Sequence, residues 1–352
     1  MDDLVLHTVL AISGTHLQHS SPSISSLASK HYSYALHSLK QRLADWLSGS
    51  DEDYKPLFAT IILLCHCEFI QGNTYGAAMQ HLRACREFVE AALEHLHESE
   101  HRDFVVYLVK NYGYFVLVTN LRGSLQVDNI RLGLEFSTYI MLKIKKFSAI
   151  GPMFDFEPEG ISLIPQIAQL AWQRKQSPSA SDYQVCQATY VRLLESLNRE
   201  LQQCLSGKVA DTQSSSGLKL WNTRQLVISI KINTLLMFLH ASFPQHDGRP
   251  TLITGLLQPL IDRTMMLLTH VDEANACYSL FWPILVMGSY VRDRAKQGLL
   301  VSRLETNQSR MQYLSGGIEL LQWLWEDQDG MNFGLEGLET VAAARGVHLC
   351  IC

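Results

Sequence analysis

Between Tyr32 and Leu96, apolar residues return every three or four positions, a period that suits helices and does not fit strands. Tyr32, Ala35, Leu36, Leu39, Leu43, Trp46 and Leu47 line one helical face, while Ser33, His37, Lys40, Gln41 and Asp45 fall on the wet side. After the turn-like Ser48-Gly49-Ser50-Asp51, the stretch from Leu57 to Ile70 is apolar nearly all round. A helix of that kind must be enclosed by other helices, which places it at the centre of the N-terminal half. Beyond Gln71-Gly72-Asn73, a third stripe runs through Tyr75, Ala78, Leu82, Cys85, Val89, Ala92 and Leu96, with His81, Arg83, Arg86 and Glu90 mainly outside it. Three consecutive helices with short connections imply an antiparallel bundle.

The same period recurs along the chain. It predicts helices near 4–18, 27–47, 55–70, 75–97, 103–122, 129–146, 160–175, 182–206, 217–241, 250–270, 274–296 and 310–327. No stretch alternates over several strand lengths, and no fixed repeat period marks a solenoid. The expected fold class is therefore all-α, a single large bundle of about twelve helices across 1–352. The loops read as Ser20–Ser26, Ser48–Asp53, Phe147–Gly160, Gln176–Ser181, Gly207–Gly217 and Phe243–Pro250, none of them a convincing interdomain linker. The Gly-containing tail, 328–352, either docks back on the bundle or acts as a movable lid.

Charge argues against direct contact with nucleic acid. The chain carries 29 Lys+Arg against 34 Asp+Glu, a formal charge of −5, with no basic run able to track phosphates. The opening Met1-Asp2-Asp3-Leu4 reads without a secretory leader, and the scattered cysteines suit a reducing compartment. Phe104–Val118, read as the longest apolar stretch, is interrupted by Lys110 and Asn111 and falls short of the roughly 20 residues that cross a bilayer. No membrane span is expected.

The eight cysteines stand at 65, 67, 85, 186, 204, 277, 350 and 352, and none forms a Cys-x-x-Cys pair. Cys65 and Cys67 point to nearly opposite sides of a helix, so Cys65-His66-Cys67 reads as buried small hydrophobes around a histidine and not as a ligand triplet. His81 and Cys85 share a face, but a tetrahedral metal site needs a second pair. The expectation is no metal and no cofactor. Nor is there a Gly-x-Ser-x-Gly elbow, a phosphate loop, a His-Glu-x-x-His helix or a dinucleotide fingerprint.

Three strings carry a resemblance: YSYALHSLKQRLADWL, LFATIILLCHCEFIQG and AAMQHLRACREFV. In that order they resemble the middle region of fungal zinc-cluster transcription factors. There, a Tyr-x-x-Ala-Leu-x-x-Leu helix, an apolar helix ending in Glu-Phe and a His-Leu-x-x-Ala helix follow one another. FDFEPEGISLIPQIAQLA, LFWPILVMGSYVRDR and LLQWLWEDQD resemble later blocks of the same family, so the likeness runs from about Leu4 to the C-terminus. Within the family, the sterol uptake control proteins, with their helical sterol-receptor domain, are the nearest functional model. The resemblance implies a regulatory or ligand-sensing domain, nuclear residence with the cytoplasm as alternative, and a homodimer or another regulator as partner. Family members read DNA through six cysteines in roughly thirty residues that hold two zinc ions, and the cysteine spacing of this sequence cannot build that cluster.

For a small molecule, the C-terminal half offers the densest aromatic and methionine cluster. Tyr278, Phe281, Trp282, Leu285, Met287 and Ser289 surround Pro283, expected to kink its helix and free a carbonyl, and Met237, Phe238 and His240 supply another wall. Met237, His240, Tyr278, Trp282 and Met287 are the candidate ligand contacts, for an apolar sterol-like molecule or metabolite; packed core is the alternative. Three functions stay open: the regulatory domain, a scaffold turned into a cyclase- or isomerase-like enzyme that works by shape and orientation, and a purely structural interaction module.

Overall fold

The computed structural model describes residues 2–18, 21–50, 53–72, 76–94, 101–120, 139, 140, 143, 158–176, 180–206, 223–243, 250–271, 273–305, 312–326 and 333–347. Among them are thirteen α-helices, one 3-10 turn at Pro22–Ile24 and no strand. In chain order the helices are α1 (Asp3–Leu17), α2 (Ser25–Leu47), α3 (Tyr54–Ile70), α4 (Ala77–Glu94), α5 (Arg102–Asn120), α6 (Pro158–Gln176) and α7 (Ala180–Ser206). There follow α8 (Thr223–Ser242), α9 (Pro250–Leu268), α10 (Glu273–Tyr290), α11 (Arg294–Glu305), α12 (Gln312–Trp325) and α13 (Gly334–Ala344). The all-α expectation holds. The helix expected at 129–146 lies outside the described residues except at 139, 140 and 143, which are helical.

α3 is the hub of the N-terminal half, packed against α1, α2, α4 and α5. Its Leu57, Phe58, Ile61, Ile62, Leu64 and Phe69 are all buried, as the uninterrupted apolar run requires. Asp2 caps α1 by accepting from the backbone N–H of Leu4 at 2.9 Å and of Val5 at 3.3 Å, and it pairs with Arg42 of α2 at 2.5 Å. α1 and α2 cross at Gly14, where a β-carbon would stand 2.7 Å from Ala28 Cβ, so only glycine allows this approach. Leu47, placed by its period on the apolar face of α2, is the last residue of that helix and is 72% exposed.

α8 is the hub of the other half, packed against α6, α7, α9 and α10. Every residue from Ser229 to Leu239 is buried. Of the described helices, α8 alone is long and apolar enough to cross a membrane, and not the Phe104–Val118 stretch; its burial makes it a core helix. The two halves meet through α5 with α6 and α3 with α12, and the buried apolar residues from Leu4 to Leu338 form one connected core.

Two boundaries differ from expectation. The helix expected at 274–296 stops at Tyr290, and α11 starts afresh at Arg294, with Asp293 accepting from the Lys296 backbone N–H at 2.9 Å. The tail contains a helix, α13, which packs on α10 and α12. Gly334 begins it at φ +67°, its α-carbon pressed against the Tyr290 ring, and Arg292 and Arg345 lie over the Phe333 and Trp323 rings.

Candidate functional site

The site begins with two core helices, α8 and α10, that pack on one another. α10 runs unbroken through Pro283. Met237 and Met287 are fully buried, and Trp282 is 2% exposed. Met237 and His240 stand three residues apart on α8 and share a face. Trp282 and Met287 stand five apart on α10, about 140° around the axis, and so address different neighbours. Tyr278 lies one turn before Trp282, its side chain outside the described residues. Phe281 and Leu285 occupy yet another face, against Gly317 of α12. The candidate residues thus lie on one packed helix pair without forming a single wall.

His240 has a definite partner that the sequence did not suggest. Its Nδ1 lies 2.8 Å from Tyr190 Oη on α7, and Tyr190 in turn stacks on Phe243 with ring centroids 4.8 Å apart. Burial pushes the His240 pKa down and the Tyr190 pKa up, so both side chains favour their neutral forms. α7 and α8 pair antiparallel: Cys204 O accepts from Gln225 Nε2 at 3.2 Å at one end, and Tyr190 meets His240 at the other.

Among the described residues, two buried polar side chains in this region, Trp282 and Asn233, have no hydrogen-bond partner. Trp282 Nε1 has no acceptor, although a buried indole N–H ordinarily finds one, as Trp325 Nε1 does with Gly288 O at 3.0 Å. Asn233 is completely buried, and neither its Nδ2 nor its Oδ1 is hydrogen-bonded. Leaving such a group unmet costs about 1–3 kcal/mol. Asn233 precedes Met237 by four residues and His240 by seven, so all three share one stripe of α8. The cue in the sequence is an amide inside the run Ile232–Leu239, apolar but for Asn233 and Thr234.

A second polar cluster lies in the N-terminal half. Tyr32 of α2 donates its phenol to the Glu68 carboxylate of α3, and His81 Nε2 of α4 stands 3.4 Å from Tyr32 Oη and 3.8 Å from Glu68 Oε1. Glu68 is 4% exposed and His81 15%. The sequence places His81 mainly outside the apolar stripe of its helix, and the structure turns it onto this pair. Burial first, then Glu68, pushes the Tyr32 pKa well up. His66, half-buried on α3 with Phe115 at a centroid distance of 4.8 Å, is pushed down to about 4 by burial, against a smaller opposing effect of its hydrogen bond to Asn111. Cys65, Cys67 and Cys85 are buried thiols, and burial with the Glu68 charge pushes Cys67 up to about 12. Among the described residues no three of His, Cys, Asp and Glu come together as a metal site.

The three residues of this cluster come one from each string that carried the family resemblance, Tyr32, Glu68 and His81. A comparison with known families agrees: the chain matches the fungal specific transcription factor domain over residues 1–352. The chain belongs to that family. No curated protein and no solved structure matches it.

Proposed function

We propose that this chain is the ligand-sensing regulatory domain of a fungal transcription factor, resident in the nucleus and acting on its genes through a DNA-binding segment or protein other than these residues. The observation that carries the sensing is Trp282: a large side chain at 2% exposure whose N–H has no acceptor among the described residues, on the helix that packs against α8, the helix of Met237. An apolar ligand with an oxygen acceptor would complete it. The formal charge of −5 and the absence of a basic run support indirect action on DNA, because phosphate contacts need clustered Lys and Arg.

Native mass spectrometry after incubation with a lipid and metabolite extract tests this. A retained apolar molecule of unchanged mass supports a receptor. A chemically converted one overturns it in favour of an enzyme built on the scaffold, and an empty protein that only dimerises overturns it in favour of an interaction module.

A further inference from the structure

His7 of α1 and His31 of α2 come from helices that the small Gly14–Ala28 crossing lets approach closely, and their rings meet at the seam between them. Their Nδ1 atoms lie 2.9 Å apart, with ring centroids at 5.1 Å. Both side chains are half-buried, and the Tyr34 ring lies 5.5 Å from that of His7. As a hydrogen bond, the pair uses one Nδ1–H and one lone pair; with both protons on Nε2, both Nδ1 atoms are ligands to the same gap. Two imidazoles on one tetrahedral zinc ion stand about 3.3 Å apart, so opening the pair by about 0.4 Å seats the metal. The expectation of no metal rested on spacings within single helices, which do not show a pair formed between two.

Among the described residues no third His, Cys, Asp or Glu joins these two. A closed zinc site has four protein ligands, so one chain supplies half of it. The surrounding surface points to the source of the other half. His7, Leu10 and Leu17 share one stripe of α1, and Leu27, His31 and Tyr34 share one stripe of α2. The four apolar members are between 40% and 58% exposed.

The two helices run antiparallel, with Asp2 against Arg42 at one end and Gly14 against Ala28 near the other. Counted from Gly14 and Ala28, Leu17 and Leu27 lie three residues and one residue toward the connecting turn, and Leu10 and Tyr34 lie four and six residues the other way. The members of each apolar pair are therefore within about 3 Å of the same level. His7 and His31, seven and three residues from the same marks, straddle the Leu10–Tyr34 level. A two-fold axis parallel to the seam lays α1 of each copy over α2 of the other. Leu10 then meets Tyr34 of the second copy, Leu17 meets its Leu27, and the two histidine pairs face each other.

We infer that His7 and His31 form half of a tetrahedral zinc site whose other half is the same pair on a second copy, so that zinc joins two copies of this chain through the exposed α1–α2 face. The Nδ1 atoms bind the metal, the proton of the bonded Nδ1 moves to Nε2, and the leucines and Tyr34 cover the site with carbon. Retention of a molecule from the extract bears on the sensing reading and not on this one, so either can fail alone.

Sedimentation equilibrium of the metal-stripped chain, with and without zinc chloride, tests the inference, and native mass spectrometry gives the stoichiometry. Zinc is expected to tighten dimerisation at least about tenfold and to appear as one ion per two chains, and EDTA is expected to reverse both. His7→Gln and His31→Gln are expected to keep the helix content and lose the zinc effect. Tyr34→Glu keeps both histidines and is expected to weaken the zinc-dependent dimer. Should a glutamine variant lose helix content, Tyr34→Glu and the one-to-two stoichiometry carry the test. One zinc ion per chain without dimerisation overturns the inference, as does a zinc-driven dimer that both histidine variants retain, or a wild-type protein that zinc leaves unchanged. A Tyr34→Glu protein that dimerises with zinc as wild type does overturns the α1–α2 face as the interface.

Discussion

Tyr32 and Glu68, 36 residues apart in the chain, meet as donor and acceptor in the interior of the helical bundle, and His81 closes the group from a third helix. The Glu68 carboxylate is buried, so its charge depends on these partners. Tyr32→Phe removes one donor while keeping the ring, and a cost of about 1–3 kcal/mol is expected. Glu68→Gln is expected to cost less than Glu68→Ala, because the amide still accepts from the phenol. Urea unfolding of the two single variants and Tyr32→Phe/Glu68→Gln measures the coupling; additive effects would show that the two side chains do not act as a unit.

His66 sets a pH window. Burial lowers its pKa from 6.5 to about 4, so the folded protein resists a proton that the unfolded chain accepts. This contribution is complete above 6.5, declines as pH falls from 6.5 towards 4, and is level below that; its size is up to about 3 kcal/mol. His240, lowered for the same reason, adds in the same direction. Stability measured by urea titration between pH 7 and 4 is expected to fall, and His66→Gln is expected to flatten part of that slope. An unchanged slope in the variant would remove His66 as its source.

The helices were legible because burial leaves a local imprint on the sequence: one-sided stripes through Leu39 and Leu82, and an apolar run on every side around Ile61. The break after Tyr290 was legible in principle, since Asp293 is a helix-capping residue three positions ahead of the Lys296 N–H it accepts from. It was overridden by the apolar run before it. The short helix α13, with Gly334 and Gly337 near its start, gave too weak a pattern and read as tail. The polar groups behaved otherwise. Periodicity shows that Asn233 is interior and says nothing of whether a partner faces it, because that depends on α7. The inward turn of His81 likewise depends on Tyr32, 49 residues away. Of the candidate site, composition identified the helix pair α8 and α10, while the separation of Trp282 from Met287 around the axis and the Tyr190 partner of His240 required the fold.

The docking of α13 on Tyr290 predicts the behaviour of Gly334. Its φ of +67° disfavours any side chain, and a β-carbon there would stand 2.4 Å from Tyr290 Cε1. Gly334→Ala is expected to cost about 1–3 kcal/mol locally, releasing the C-terminal helix and leaving the rest of the bundle folded. Limited proteolysis should then cut the segment after Trp325 faster than in wild type, with nearly unchanged helix content by circular dichroism. Equal cutting rates would mean that α13 tolerates the change in place.

Trp282 and Trp325 make a matched pair for the last prediction. Trp282 lies in the core and Trp325 packs against it; Trp325 donates to Gly288 O, while Trp282 has no acceptor among the described residues. Replacement by Phe keeps most of the buried apolar surface in each case and deletes the N–H. Trp325→Phe leaves Gly288 O without this donor and is expected to cost about 1 kcal/mol or more. Trp282→Phe removes an unmet donor and is expected to be neutral or stabilising in the empty protein, while weakening a retained apolar ligand about tenfold. Melting temperatures of the empty variants test the first half, and the amount of ligand retained in native mass spectrometry tests the second. If Trp282→Phe destabilises the empty protein as much as Trp325→Phe does, the indole N–H already has a partner within the fold. If it retains ligand at the wild-type level, the N–H takes no part in binding.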